Sequence, residues 1–180
     1  IERNTMKEIL EELARVHDSL AYRDNASSIT IQGCASLGKD FPSSVAAALL
    51  TIGGTHAPLR QTALLLCYDQ PWDMVSQTLK HGKKVPGWGS SFIKGEPDLT
   101  FSKLDLLILE HDEKLWNNMN SITKYIQGTG LNLWPNAACY TIASLLVAGK
   151  NVKYADRYFI EYRLNAWHHL YALNYKEGPG

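Results

Sequence analysis

The stretch Thr5-Met6-Lys7-Glu8-Ile9-Leu10-Glu11-Glu12-Leu13-Ala14-Arg15-Val16-His17-Asp18-Ser19-Leu20 sets the reading of the whole chain. Met6, Ile9, Leu10, Leu13, Val16 and Leu20 recur three or four positions apart, which places them on one face of a helix. Thr5 and Glu8 stand at the spacing of a capping box, so the helix is expected to open there. Charged residues fill the other face, and the segment reads as an amphipathic helix rather than a leader peptide.

Outward from this stretch the same period continues. A second helix is expected over 27–37, ending near Gly38, and Pro42-Ser43-Ser44 opens a third through Val45-Ala46-Ala47-Ala48-Leu49-Leu50. Gly53-Gly54 stops it, and Pro58 stands where another helix begins. The run Ala63-Leu64-Leu65-Leu66-Cys67 is expected to be buried on most sides, and Asp69-Gln70-Pro71 restarts a helix through Trp72, Met74, Val75 and Leu79. Residues 82–98 hold Gly82, Pro86, Gly87, Gly89, Gly95 and Pro97, the punctuation of a long functional loop. Helical spacing returns over 104–109 and again through Leu115, Trp116, Met119, Ile122, Tyr125 and Ile126. Trp134-Pro135-Asn136 opens a helix closed by Gly149, and a last helix carries Tyr154, Phe159, Ile160, Leu164, Trp167, Leu170 and Leu173. No segment alternates with period two. An all-α fold in a single domain over 1–180 is the expectation.

The 180 residues carry 18 Lys+Arg against 18 Asp+Glu, so the net charge is zero. That excludes binding to nucleic acid by bulk electrostatics, because the densest basic spot is only Lys80, His81, Lys83 and Lys84. No apolar run approaches the ~20 residues a membrane span needs. Cys34, Cys67 and Cys139 form no CxxC pair, which points to reduced thiols and a cytoplasmic protein. No metal is expected: His17, His81 and His111 lack partners at ligand spacing. His168 and His169 are adjacent and cannot face one ion, so one is expected buried and one exposed.

Two features offer chemistry. His56, in Gly53-Gly54-Thr55-His56-Ala57-Pro58, sits between a helix stop and a helix start. There it either presents its ring to a cleft or is a turn histidine bonded to a carbonyl. The loop Val85-Pro86-Gly87-Trp88-Gly89-Ser90-Ser91 either wraps a ligand with its permissive glycines or is an ordered surface loop anchored by Trp88. It is not a phosphate loop of the Gly-Lys-Ser/Thr kind, and no strand precedes it. Glu110-His111-Asp112-Glu113 reads as a solvated helix junction.

Taken in order, these segments resemble citrate synthase. That family has a Gly-rich turn with a catalytic His, a Pro-Gly-aromatic-Gly-His loop, a Pro-Asn-x-Asp helix start, and a last helix with Arg, a small residue, Trp and His. Here the corresponding runs are Gly53-Gly54-Thr55-His56, Val85-Pro86-Gly87-Trp88-Gly89-Ser90, Trp134-Pro135-Asn136-Ala137-Ala138 and Arg163-Leu164-Asn165-Ala166-Trp167-His168. Asn25-Ala26-Ser27-Ser28 resembles the Asn-x-Ser-Thr stretch upstream. The resemblance implies a shortened citrate-synthase-like helical fold without most of the N-terminal large-domain helices. It implies His56 at the thioester oxygen, Arg163 on a substrate carboxylate, and Tyr22 and Asn25 in the substrate segment. Lys83, Lys84, Val85, Gly87, Trp88, Gly89 and Lys94 would meet CoA or an acyl-CoA, and the protein would be a homodimer packed through the small-residue run that starts at Ser44.

The apparatus is incomplete. Ser90 stands where the family has its second catalytic His, Ala138 where it has the Asp that removes the α-proton, and Glu96-Pro97-Asp98 where it has Asp-Pro-Arg. Losing a general base costs ~100–10,000-fold in rate, and Asp98 would repel a dicarboxylate that an Arg clamps. Ordinary citrate formation is therefore not expected. Two readings stay open: an acyltransferase or lyase acting on acyl-CoA with altered chemistry, using Ser90, Tyr22 or Cys139 as a new nucleophile or base, or a pseudoenzyme kept as a binding or structural module.

Overall fold

The computed structural model describes residues 2–53 and 56–177, the side chains of Glu2, Arg3 and Thr5 excepted. Nine α-helices run through the described residues: α1 (Glu2–Ala21), α2 (Ala26–Ser36), α3 (Phe41–Leu49), α4 (Leu59–Cys67), α5 (Pro71–Lys80), α6 (Ser102–His111), α7 (Glu113–Gly128), α8 (Ala137–Val147) and α9 (Ala155–Asn174). Short 3-10 turns at Leu99–Phe101 and Val152–Tyr154 lead into α6 and α9. Extended pairing among these residues is limited to two isolated bridges, Gly53 with His56 and Trp88 with Pro135. The all-α expectation holds. α1 opens at Glu2, ahead of the expected capping box, so Thr5 and Glu8 lie inside the helix; Thr5's capping bond, like the Gly54 and Thr55 part of the helix stop, falls outside the described residues.

The chain packs as two compact units. One holds the chain up to Leu13 with residues 57–155; the other holds 14–56 and the chain from Asp156 on. The first unit is built round α8, whose residues from Ala138 to Leu145 are all buried. A helix apolar on every side is a core helix, and α4 and α6 pack against it, with α7 on α6. Asp105 on α6 accepts Trp116 Nε1–H from α7 at 3.1 Å and the Tyr140 hydroxyl from α8 at 3.0 Å, tying the three helices. On α4 the phase corrects the sequence reading: Ala63, Leu65 and Leu66 are buried, but Leu64 is 62% exposed and Cys67 is exposed, as an amphipathic helix with one covered face requires.

The second unit packs α2 against α3. Its core gathers Ala21, Ile31, Ala48, Ala166, Trp167 and Leu170, with Val45 and Ile52 against them. Ala48 and part of Val45 from the small-residue run are thus spent inside their own unit, while Leu49 and Leu50 remain outside. Arg163, Ala166, Trp167 and Leu170 share the inward face of α9, which turns both His168 and His169 outward. The expectation of one buried and one exposed histidine was wrong for this reason.

Candidate functional site

In the second unit a polar cluster assembles round the ring of Phe159. His17 meets its edge at a centroid distance of 4.9 Å and His56 at 6.2 Å, while the Arg163 guanidinium carbon lies 4.5 Å over its face. Phe159 and Arg163 are one helical turn apart on α9, so the ring and the cation face the same way. The arginine is 3% exposed. Its Nε–H donates to His17 Nδ1 at 3.0 Å, yet its Nη1 is buried and has no hydrogen-bond partner. One turn further along α9, the Trp167 indole N–H is likewise buried and unpartnered.

Burial and neighbouring positive charge shift the titration of the cluster. Burial, then the charge of Arg23, lowers the Arg163 pKa to about 10, which leaves it a cation at neutral pH. Burial, then Arg163, drives His17 well below the ordinary imidazole value, so it is neutral and can accept the arginine's proton. His56 is lowered by the same two causes in the same order. A buried charge costs several kcal/mol unless it is compensated. The cation kept here leaves Nη1 with hydrogen-bonding capacity that an acceptor-rich group such as a carboxylate can meet.

Local sequence places each part. Asn25 caps α2, its side chain accepting Ser28 N–H at 3.1 Å, and Ser27 follows at 2.8 Å from the same oxygen. Ser27 Oγ lies 3.3 Å from His56 Nε2. His56 itself is fixed by two backbone bonds to Gly53, 2.6 and 3.0 Å long, and by a left-handed Ala57 at φ 52°. An L residue there stores of order 1–3 kcal/mol of strain, a cost found where a fold holds a functional group in place.

Tyr22 goes elsewhere. Its hydroxyl is 2.7 Å from His169 Nδ1 on the outer side of α9, and the side chain is 44% exposed. The histidine that meets Arg163 is His17, which the sequence reading left without a partner. Its signal was present: His17 falls in phase with Leu13, Val16 and Leu20, on the buried stripe of α1. Arg23, Ser27 and Phe159 were missed as well, since only the fold brings them to His56 and Arg163.

The Gly-rich loop belongs to the first unit and is built differently. Trp88 is 3% exposed and its Nε1–H donates to Thr123 Oγ1 at 2.9 Å, so it anchors the loop from inside. Gly89 N–H reaches Trp134 O at 2.8 Å, Asn136 N–H reaches Gly87 O at 2.9 Å, and the Asn136 side chain donates to Gly89 O at 2.8 Å. The two motif segments, 85–90 and 134–138, are therefore one stapled object. Asn136 also caps α8 through Ala138 N–H and Cys139 N–H. Gly87, at φ 89°, has no room for a side chain: a Cβ would stand 2.7 Å from Thr62 Cγ2.

Beside the staple lies a cavity of about 370 Å³, lined by Ser90, Lys94, Glu96, Asp98, Asn132 and Trp134 among others. Ser90 Oγ accepts the backbone N–H groups of Phe92 and Ile93. Asp98 caps the turn at Leu99 through Thr100 N–H, which gives the acid a structural task of its own. Lys83, Lys84 and Lys94 are exposed, and Val85 is buried. Ala138 is buried with only a methyl group, and Cys139 is buried beside Asp105, both of which push its thiol far up and keep it protonated.

No protein-family profile matches the sequence, and no curated protein matches it. Solved structures do match. Citryl-CoA lyase from Hydrogenobacter thermophilus is 21% identical and superposes on 97% of this chain and 72% of its own, with a TM-score of 0.72. Citrate synthase from Thermotoga maritima is 23% identical, with a TM-score of 0.76 over 95% of this chain and 50% of its own. ATP citrate lyase from Methanothrix soehngenii, solved with citrate and coenzyme A, is 18% identical, with a TM-score of 0.73 over 95% of this chain and 32% of its own. The chain thus has the citrate-synthase-like all-α fold and spans half of that citrate synthase and 32% of that ATP citrate lyase.

Proposed function

We propose that the chain binds a CoA thioester and takes part in carbon–carbon condensation or cleavage next to it, with His56 facing the reacting acyl group and Arg163 holding a carboxylate. The observation that carries this reading is the buried Arg163, kept charged with an unpaired Nη1 beside a neutral His56 that Ser27 orients. The fold supports it, since its structural neighbours include a citryl-CoA lyase and an ATP citrate lyase holding citrate and coenzyme A. Asn25 supports Ser27, while the exposed Lys83, Lys84 and Lys94 are proposed to meet CoA phosphates as point charges. Ser90 keeps its place as a proposed participant through the cavity it lines.

A second reading is favoured by Ala138. A buried methyl at the position of the proton-removing acid fits a protein that binds and does not turn over. Calorimetric titration with CoA and acetyl-CoA, on the native protein and on His56→Ala, tests the shared part. Binding that weakens in the variant supports a thioester site; no binding at millimolar ligand overturns it. CoA release in the presence of keto acids then separates an acyl-CoA enzyme from a pseudoenzyme.

The reading carries with it a cytoplasmic homodimer. Leu49 at 37% exposure and Leu50 at 89%, in the small-residue run that starts at Ser44, are the apolar side chains such an interface would cover. A monomer in sedimentation at micromolar concentration removes that part.

A further inference from the structure

The hydrogen bonds round His56 can be counted, and the count decides where its proton sits. Asn25 gives its amide N–H groups to Leu20 O at 3.0 Å and Arg23 O at 3.1 Å. With both donors committed to carbonyls, Oδ1 is the atom that receives Ser28 N–H. The same Oδ1 lies 2.8 Å from Ser27 Oγ. Two oxygens that close need a proton between them, and an amide oxygen has none to give, so the Ser27 hydroxyl is the donor.

A hydroxyl carries one proton. Toward His56 Nε2, 3.3 Å away, Ser27 has only lone pairs left to offer. The bond between them therefore requires the imidazole proton to be on Nε2. The ring is neutral at pH 7, because burial and then Arg163 lower its affinity for a second proton. Nδ1 is then a bare lone pair, and among the described residues none is bonded to it.

We propose that His56 is a proton acceptor through Nδ1, the general base for the carbon next to the thioester. This rests on the CoA-thioester reading and changes the role that the resemblance implies, since holding the thioester oxygen needs a donor at the ligand-facing nitrogen. In the step, Nδ1 takes the α-proton and the C–H electron pair moves onto the thioester carbonyl, giving an enolate. The imidazolium formed keeps its Nε2–H on Ser27. Ser27 and Asn25 are positioning residues: they select the tautomer.

The test has two arms on the full chain. Nitrogen NMR of ¹⁵N-histidine protein, with His56 assigned through His56→Gln, reads the tautomer without ligand. Acetyl-CoA in D₂O reads the base, as deuterium entering the acetyl methyl group. The expected result is a protonated Nε2 with bare Nδ1, and methyl exchange that falls roughly 100-fold or more in His56→Gln. Asn25→Ala, which frees the Ser27 proton to turn toward Nε2, is expected to move the imidazole proton to Nδ1 and slow exchange. A protonated Nδ1 in the native protein overturns the proposal, as does acetyl-CoA that binds without exchanging. If acetyl-CoA does not bind at all, the thioester reading is what fails, and the tautomer alone decides the acceptor assignment.

Discussion

The Gly-rich loop of the first unit and the Phe159 cluster of the second obey opposite rules. In the loop, the Gly87 carbonyl, both backbone groups of Gly89 and the indole of Trp88 have partners. In the cluster, a cation is buried with its Nη1 unpaired, and two imidazoles are held neutral beside it. A loop satisfied in this way is stabilised by its own bonds. A cluster of this kind costs stability, a cost that the proposed carboxylate ligand would offset.

Substitutions should respond in opposite directions in the two places. The largest effect is expected at Gly87→Ala, which combines a left-handed backbone with a Cβ 2.7 Å from Thr62 Cγ2. A loss of roughly 2–4 kcal/mol follows, read as a lower urea midpoint. Pairing it with Thr62→Ala should return the part due to crowding; no return would mean that backbone strain accounts for all of it.

Acid should act on the cluster. The His17 pKa is lowered in the fold, so the unfolded chain binds the proton first. Its contribution is intact above the ordinary value of 6.5 and is lost as pH falls toward the folded pKa. The expected slope is up to about 1.4 kcal/mol per pH unit for this one proton. Unfolding measured at stepped pH should show that slope shallower by one proton in His17→Leu; an unchanged slope would remove His17 from the account.

Arg163→Met fills the same space without the charge. It should leave the protein no less stable, with a gain of about 1 kcal/mol, the relief of the buried cation exceeding the bond lost at His17. A clear drop in melting temperature would place Arg163 among the residues that hold the fold. The smallest effect is expected at Ala57→Gly, where relieving a φ of 52° should add about 0.5–1 kcal/mol. If the gain came with weaker ligand binding, the strained turn would be tied to His56.

Much of this contrast was legible in the chain. Helical period, Pro punctuation and the anchor role of Trp88 are local signals, and the structure bears them out. His56, Asn25 and Arg163 were found by motif, and all three fall in the same unit. What was not legible depends on long-range packing. The pairing of His17 with Arg163 spans 146 positions, and sequence spacing carries no trace of it. Tyr22 was placed in the substrate segment by resemblance, but the phase of α9 turned His169 outward to meet it. The tautomer of His56 depends on how a single serine spends its proton, which no pattern of residue types can express.

A Phe159 cluster that serves as the proposed socket for a carboxylate should bind a small dicarboxylate through Arg163. Titration with oxaloacetate, native protein against Arg163→Met, tests it most directly. Saturable binding by the native protein is expected, roughly 100-fold weaker in the variant, as the loss of charge-assisted hydrogen bonds requires. Equal binding by the two proteins, or none by the native one at millimolar ligand, would contradict it.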